Sequence, residues 1–291
     1  TITVKATPTA TGEAPANSAM FAASLAAPAA GQMAVFVGDT QVSAPADKGA
    51  DGSYTMTVSA ADVLTLGGVE PNQTITLTAK FVGNNNMADA AGTVPVNISA
   101  VAKVVNGSYT TYVGNLDDAF KTENDGATIT LLKDVTRATT LRIKINCTLD
   151  LNGHNIKSTN ETCLLVYGSF AVTIQGEGEI ISEQSHALVC IGTVTLEGGT
   201  FTSNGENFAG VYANPSSTLS VTGEDVTIQN TGGGYGLAVN DAMSVQLSAG
   251  KYSGTTGAIR IAGGSLTLGG LLANSGDTRY AYFDESGTTP F

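Results

Sequence analysis

The chain has 291 residues and a formal net charge of −12, from 13 Lys and Arg against 25 Asp and Glu. An acidic chain without a basic cluster excludes nucleic acid as an expected partner, and it would repel a polyanionic substrate unless calcium bridged the two. Its 35 glycines, absent tryptophan and 13% charged residues are typical of short strands and tight turns, so we expect an all-β protein with two domains.

Residues 1–101 carry five alternating apolar and polar runs, separated by turns rich in Gly, Pro and Asn. This spacing predicts an N-terminal β-sandwich. The runs are Ile2–Ala6, Met33–Val37, Tyr54–Val58, 75–81 and 94–98. The text of 31–46, 53–63 and 74–99, most specifically 76–89, resembles the immunoglobulin-like repeats of bacterial surface proteins. That resemblance implies a spacer or binding domain and no catalytic residue.

A second domain is predicted over 102–291. Its start includes the stretch NLDDAFK at 115–121, which predicts a short helix with Asn115 as N-cap and Asp117 and Asp118 in the first turn. The two aspartates could instead form a metal or acid pair, but helix-start electrostatics explains them more simply. We expect this helix to cap the open end of the structure that follows.

An internal repeat runs through the rest of the chain. Apolar residues that precede a glycine recur every 21 to 26 residues, at Leu151, Ile174, Leu196, Val221, Leu247 and Leu268. A short strand precedes and another follows each of them, which predicts a right-handed parallel β-helix with three strands per coil and about 4.8 Å between coils. Residues 127–132 would form an incomplete first coil.

The repeat predicts which side chains stack in the core, with Leu149, Leu151 and Ile156 beneath Val172, Ile174 and Ile180. The residues from Leu151 to Leu268 given above form the core column of the second strand. The first and third strands of each coil contribute one further column each. These columns are Ile143, Val166, Cys190, Ala213, Val239 and Ile261, and Ile156, Ile180, Phe201, Val226, Tyr252 and Leu272.

The stretches 106–120, 125–135 (DGATITLLKDV) and 148–156 (TLDLNGHNI) resemble the opening of pectin-lyase-like β-helices in surface proteins of gut and other Gram-positive bacteria. The resemblance covers about residues 103–275. It implies the fold more than an activity, because this superfamily includes lyases, hydrolases and proteins without catalysis.

Candidate catalytic residues do not gather in the repeat. Arg142 and Lys144, with His154, match the residue types of a polygalacturonase site but lie in the wrong order, before any acid cluster. Glu177, Glu179 and Glu183 fall within one coil without acidic residues at aligned positions of neighbouring coils, which favours a solvated edge. Cys147, Cys163, Cys190 and two distant histidines show no zinc spacing, so we expect no metal, no cofactor and no catalytic residue.

One outward face differs from the others. On the first strand of the middle coils it carries Leu165, Tyr167, Val189, Ile191 and Tyr212, whereas the second strand presents Thr, Ser, Gln and Asn. An apolar and aromatic face usually marks an interface. We expect these five residues to bind an external ligand or to be covered by another part of the chain: a loop, the sandwich domain or the tail 271–283.

With the patterns above, the two resemblances imply a bacterial extracellular protein, secreted or on the cell surface, that acts as a non-catalytic adhesin. Its partner would be a host or environmental glycan or a surface protein. No apolar run is long enough for membrane insertion of this chain. The alternative is a carbohydrate-active enzyme, a polysaccharide lyase or glycosidase, with its site on a loop.

Overall fold

A computed structural model describes residues 1–6, 25–84 and 89–268, together with the backbone of 282–283. The chain is all-β with few short helices, as expected. It divides into two compact units, Thr1–Ala100 and Val101–Phe291.

The first unit contains two antiparallel sheets. Strand β1 pairs with β4, and the second sheet has the order β3-β2-β5-β6. Three predicted strands have the predicted bounds, whereas the short β3 and the helix α1 were not anticipated. The elements are β1 (Ile2–Ala6), β2 (Met33–Val37), β3 (Thr40–Gln41), β4 (Tyr54–Val58), α1 (Ala60–Thr65), β5 (Thr74–Phe81) and β6 (Ala90–Asn97).

Aromatic packing joins the two sheets of this unit. The rings of Tyr54 on β4 and Phe81 on β5 meet edge to face, with centroids 5.6 Å apart. Both side chains are buried, and the Tyr54 hydroxyl donates a hydrogen bond of 2.9 Å to the Gly31 carbonyl. The buried hydroxyl therefore keeps a partner, as a tyrosine in a core requires.

The second unit opens with a hairpin and short helical turns and then winds through successive short strands. The opening elements are β7 (Ala102–Asn106), β8 (Tyr109–Val113), α2 (Leu116–Ala119) and a 3-10 turn (Thr122–Asn124). The strands that follow are β9 (Ala127–Leu131), β10 (Val135–Arg137), β11 (Leu141–Ile143), β12 (Cys147–Asp150), β13 (Ile156–Ser158), β14 (Leu164–Val166), β15 (Ala171–Gln175), β16 (Glu179–Ser182), β17 (Leu188–Cys190), β18 (Thr193–Leu196), β19 (Thr200–Ser203), β20 (Ala209–Ala213), β21 (Thr218–Val221), β22 (Thr227–Asn230), β23 (Tyr235–Leu247), β24 (Lys251–Gly254), β25 (Gly257–Leu268) and β26 (Tyr282–Phe283).

Parallel pairing between these strands builds a right-handed type of β-solenoid with about six turns. The first ladder is β11-β14-β17-β20, continued by the N-terminal parts of β23 and β25. The second is β9-β12-β15-β18-β21, continued by the C-terminal parts of the same two strands. The third is β10-β13-β16-β19-β22-β24. The predicted parallel β-helix is thus confirmed.

The core columns match the sequence prediction except at two places. Every predicted neighbour in the first ladder is paired, from Ile143 to Ile261. In the second ladder Leu149, not Leu151, pairs with Ile174, and in the third Ile228, not Val226, pairs with Phe201.

Both errors are slips of two residues. Because side chains alternate with a period of two, such a slip keeps the same face inward, and all four residues concerned are buried. Leu151 and Val226 instead lie in the turns that join the second and third ladders. Leu272 lies outside the described residues.

The N-terminal end of the solenoid is closed by two elements. As predicted, Asn115 caps α2 by accepting a hydrogen bond of 3.1 Å from the Asp117 N–H, and Leu116, Ala119 and Phe120 enter the solenoid core. In addition, β7 pairs antiparallel with β9 and with β8. The hairpin thereby occupies the edge of β9, which would otherwise present unpaired backbone groups.

A column of buried polar side chains runs along the third ladder, and its last member, Asn230, organises a turn. The column is Ser158, Ser182, Ser203 and Asn230. The Asn230 Oδ1 atom accepts hydrogen bonds from the N–H groups of 232, 233 and 234 at 3.0, 2.9 and 2.6 Å. Its Nδ2 donates to Ser203 and to two carbonyls. The glycine-rich stretch at 232–234 is therefore a structural bend.

Candidate functional site

Five residues form a continuous patch on the outward side of the first ladder. We call Leu165, Tyr167, Val189, Ile191 and Tyr212 the ladder-one strip. Leu165 pairs with Val189, which pairs with Tyr212, so these three side chains follow one another in successive coils. Tyr167 and Ile191 lie just beyond the ends of β14 and β17, where their N–H groups bond the preceding coil at 3.2 and 2.9 Å.

All members of the strip are half-buried. The outward positions of the second ladder, including Thr173, Thr195 and Ser220, have similar exposure but carry hydroxyl groups. The contrast between the two faces is therefore chemical. One face offers apolar and aromatic surface, and the other offers polar surface.

Two aromatic side chains that the sequence analysis did not select extend the strip. The His186 ring lies 4.7 Å from the Tyr212 ring at an interplanar angle of 31°, and 5.0 Å from the Phe208 ring at 87°. His186 and Phe208 come from the turns before β17 and β20. Alternation within strands carries no information about side chains in turns, so no pattern in the sequence placed these rings beside Tyr212.

Hydrogen bonds hold this ring cluster in place. The His186 Nδ1 atom accepts a bond of 2.9 Å from the Ala209 N–H, and the Tyr212 hydroxyl accepts one of 3.0 Å from Asn240 Nδ2. Burial lowers the pKa of His186 from 6.5 to about 4, and a contact with the Ala209 backbone opposes this shift. His186 is therefore neutral at pH 7, and its ring acts as a packing surface.

Positive charges lie at both ends of the first ladder's outward face. Lys144 Nζ lies 4.6 Å above the centroid of the Tyr167 ring, and the exposed Arg142 pairs with Leu165. At the other end, the Arg260 guanidinium is 6.0 Å from the Tyr235 ring centroid. These cation–π contacts connect the charged ends to the aromatic surface.

Docking of the tail 271–283 on the strip stays a prediction, because only the backbone of Tyr282 and Phe283 is described within it. The backbone of Tyr282 and Phe283 pairs with Arg260 and Ile261, which adds a short strand at the edge of β25. Residues 271–281 lie outside the described part of the chain.

A separate cavity of about 300 Å³ lies where the second ladder turns into the third. Glu177, Glu197 and Asp225 line it from three successive coils, beside Thr200 and four glycines. A Cβ atom on Gly178 would lie 2.2 Å from the His154 carbonyl oxygen, so glycine permits the close stacking of these turns. Alignment of the coils in the sequence predicts no acidic neighbour for Glu177. In the structure, however, the turns bring Glu197 and Asp225 to the same cavity.

The other candidates from the sequence remain dispersed or structural. His154 Nδ1 lies 3.5 Å from Asp134, and Glu183 forms an ion pair with Lys157. The three cysteines are buried and unpaired, and burial raises the pKa of the Cys147 and Cys163 thiols to about 12.

The described residues include neither a metal-binding cluster nor a helix able to span a membrane. They contain no group of three or more His, Cys, Asp or Glu side chains placed to hold a metal ion. None of the helices within 1–6, 25–84 and 89–268 has the length and hydrophobicity of a membrane span.

Comparison with known proteins identifies no relative: no protein-family model matches the sequence, and no curated protein or solved structure is significantly similar to it.

Proposed function

We propose that this protein is a non-catalytic binding module of a bacterial cell surface, and that the ladder-one strip is its binding surface for a glycan or a surface protein. The observation that carries the proposal is an apolar and aromatic surface that continues across successive coils. Tyr167, Tyr212, His186 and Phe208 lie on or beside one ladder, with hydrogen-bonding groups at Tyr212 and Asn240. Aromatic rings present large contact areas at low entropic cost and are enriched in binding sites.

The finer architecture belongs to the same proposal. The ladders are consistent with three strands per coil of the pectin-lyase-like type, and the two sheets of the first unit are consistent with an immunoglobulin-like sandwich. The sequence resemblances to surface-protein repeats support an extracellular adhesin with domains at 1–101 and 102–291. A role in binding at the cell surface would suit the outward face of the first ladder, which repeats from coil to coil and carries no cluster of catalytic side chains.

The test is a binding screen on the whole chain, using a glycan array and a panel of bacterial and host surface proteins. A ligand that is retained by the parent and lost by Tyr167→Ala would support the strip as the binding surface. The matched control is Thr173→Ala on the outward face of the second ladder. If binding is found and Thr173→Ala abolishes it while Tyr167→Ala does not, the strip is the wrong surface.

A second candidate function is a carbohydrate-active enzyme that uses the corner cavity. The observation in its favour is that Glu177, Glu197 and Asp225 face one cavity from three coils, since glycoside hydrolysis needs paired carboxylates. It predicts release of reducing ends or unsaturated products from a polysaccharide panel, with and without calcium. Loss of that activity in Glu197→Gln, but not in Glu206→Gln outside the cavity, would favour the enzyme over the binding module.

A further inference from the structure

The cations at the Tyr167 end of the strip stand out in an acidic chain. Arg142 and Lys144 alternate with the buried Ile143 and Ile145, so both side chains point outward from the same stretch of β11 and its continuation. Both are exposed, and Lys144 Nζ lies over the Tyr167 ring. A ligand that packs against Tyr167 therefore meets an ammonium group as well as a ring.

Neither cation is neutralised by an ion pair within the described residues. Arg142 acts through space on Glu161, and the Oε2 atom of that carboxylate is already engaged by Thr140. Glu161 accepts hydrogen bonds of 2.9 Å from both the N–H and the hydroxyl of Thr140, and the backbone bond is the largest cause of its lowered pKa, with Arg142 contributing through space. Arg142 and Lys144 thus remain available to an incoming anion.

The rest of the face is uncharged over several coils. After Arg142 and Lys144, the paired outward positions are occupied by apolar, aromatic and amide side chains until Arg260. From Arg142 to Arg260 there are five ladder steps, or about 24 Å at the usual strand spacing. The uncharged positions are Leu165, Tyr167, Val189, Ile191, Tyr212, Asn214, Ala238 and Asn240.

We infer that the strip selects an acidic sugar: a glycan whose carboxylate lies against Arg142 and Lys144, and whose neutral sugars extend along the aromatic and amide positions. The inference rests on the proposed function and names its ligand class. A carboxylate receives charge-assisted hydrogen bonds from Lys and Arg, while the apolar face of a sugar ring packs on Tyr167. The net charge of −12 opposes a polyanion with many charges, so a single acidic group at one end fits better.

The experiment compares matched acidic and neutral probes on the whole chain by titration calorimetry. The first pair is 3′-sialyllactose and lactose, and the second is a glucuronic-acid-terminated oligosaccharide and its glucose-terminated counterpart. We expect at least about tenfold tighter binding of the acidic member, since charged hydrogen bonds are the stronger class. The preference should weaken as salt is raised.

Variants locate the charge that causes the preference. Lys144→Gln and Arg142→Gln should each reduce the acidic-over-neutral ratio, and Lys144→Arg should retain it. Lys157→Gln is the control, because Lys157 is a partly exposed lysine of the third ladder that pairs with Glu183. The melting temperature of each variant, measured in parallel, shows that the fold is intact.

The outcomes separate this inference from the proposed function. Equal binding of acidic and neutral probes, still lost in Tyr167→Ala, overturns the inference and leaves a glycan-binding strip. An acidic preference that survives both Lys144→Gln and Arg142→Gln also overturns it. Absence of binding to any glycan, or binding to surface proteins alone, overturns the inference together with the glycan form of the proposed function.

Discussion

The His186 ring is held by two contacts. Its Nδ1 atom accepts a hydrogen bond of 2.9 Å from the Ala209 N–H, and its centroid lies 4.7 Å from that of the Tyr212 ring. This relationship connects the ladder-one strip to a titratable group. Protonation at Nδ1 would remove the acceptor for that N–H and place a charge in a largely buried ring cluster. The ring cluster beside the strip therefore contains a side chain whose neutral form the fold requires.

The first prediction is a pH dependence of stability. The pKa of His186 is about 4 in the folded protein and 6.5 for the unperturbed side chain. Because the unfolded chain binds the proton more tightly, the contribution of neutral His186 is present above pH 6.5 and is lost as pH falls from 6.5 toward 4. We expect about 1 to 3 kcal/mol of lost unfolding free energy over this window. Urea unfolding at pH 7.0 and pH 4.5 measures it.

The control for this prediction is His186→Gln, which keeps a hydrogen-bond acceptor but does not titrate. Carboxylates that also change stability at low pH are common to both proteins, so the difference between parent and variant isolates His186. If both lose the same unfolding free energy between pH 7.0 and 4.5, His186 is not the group responsible.

The second prediction concerns the core of the solenoid. Leu196 is fully buried between Ile174 and Val221. Leu196→Asp would bury an unpaired charge and should reduce the unfolding free energy by at least about 4 kcal/mol, which approaches the whole stability of a marginal domain. Circular dichroism and thermal melting measure the loss. The neighbouring Thr195→Asp, on the outward face, should melt close to the parent, and equal damage from both variants would contradict the register.

The third prediction concerns binding and stability at the strip. Tyr167→Ala should abolish ligand binding with little change in melting temperature, because Tyr167 is half-buried and its ring packs under the exposed Lys144 side chain. Tyr212→Ala should abolish binding and also lower the unfolding free energy by about 1 to 3 kcal/mol. It removes a ring packed on His186 and leaves Asn240 without its hydrogen-bond partner.

Tyr212→Phe separates the two effects, since it removes the hydroxyl and keeps the ring. We expect a smaller loss of stability than for Tyr212→Ala, of about 1 kcal/mol.

Limited proteolysis of the tail at 280–283 would show whether the chain itself occupies the strip. Faster cleavage in the Tyr167→Ala and Tyr212→Ala double variant would indicate tail docking instead of an external ligand.

The fourth prediction concerns the bend after β22. Asn230→Ala would leave three backbone N–H groups without the acceptor that now holds them at 2.6 to 3.0 Å. Unsatisfied N–H groups at buried or partly buried positions are costly, so we expect a loss of about 3 kcal/mol or more in unfolding free energy. Hydrogen exchange should show reduced protection at residues 232–234. Gln229→Ala, next in the same strand with one side-chain bond to Thr202, should cost less than about 1 kcal/mol. If the two variants lose similar stability, Asn230 does not organise this bend.

Alternation along the chain determined much of the fold. In a strand, successive side chains point to opposite faces, so buried and exposed positions can be read from the residues themselves. This is why every predicted neighbour in the first-ladder core column, from Ile143 to Ile261, is paired in the structure. The same reading placed Leu165, Val189 and Tyr212 on one outward face, and their functional role stays a prediction.

Tertiary structure alone decided what alternation cannot encode. A slip of two residues preserves the face, so only the lengths of the turns select Leu149 over Leu151 and Ile228 over Val226. The path of the turns also decides which side chains meet beyond the strand ends. It places His186 beside Tyr212, and it brings Glu197 and Asp225 to the cavity of Glu177. Those contacts depend on the three-dimensional course of irregular backbone, for which the sequence carries no simple period.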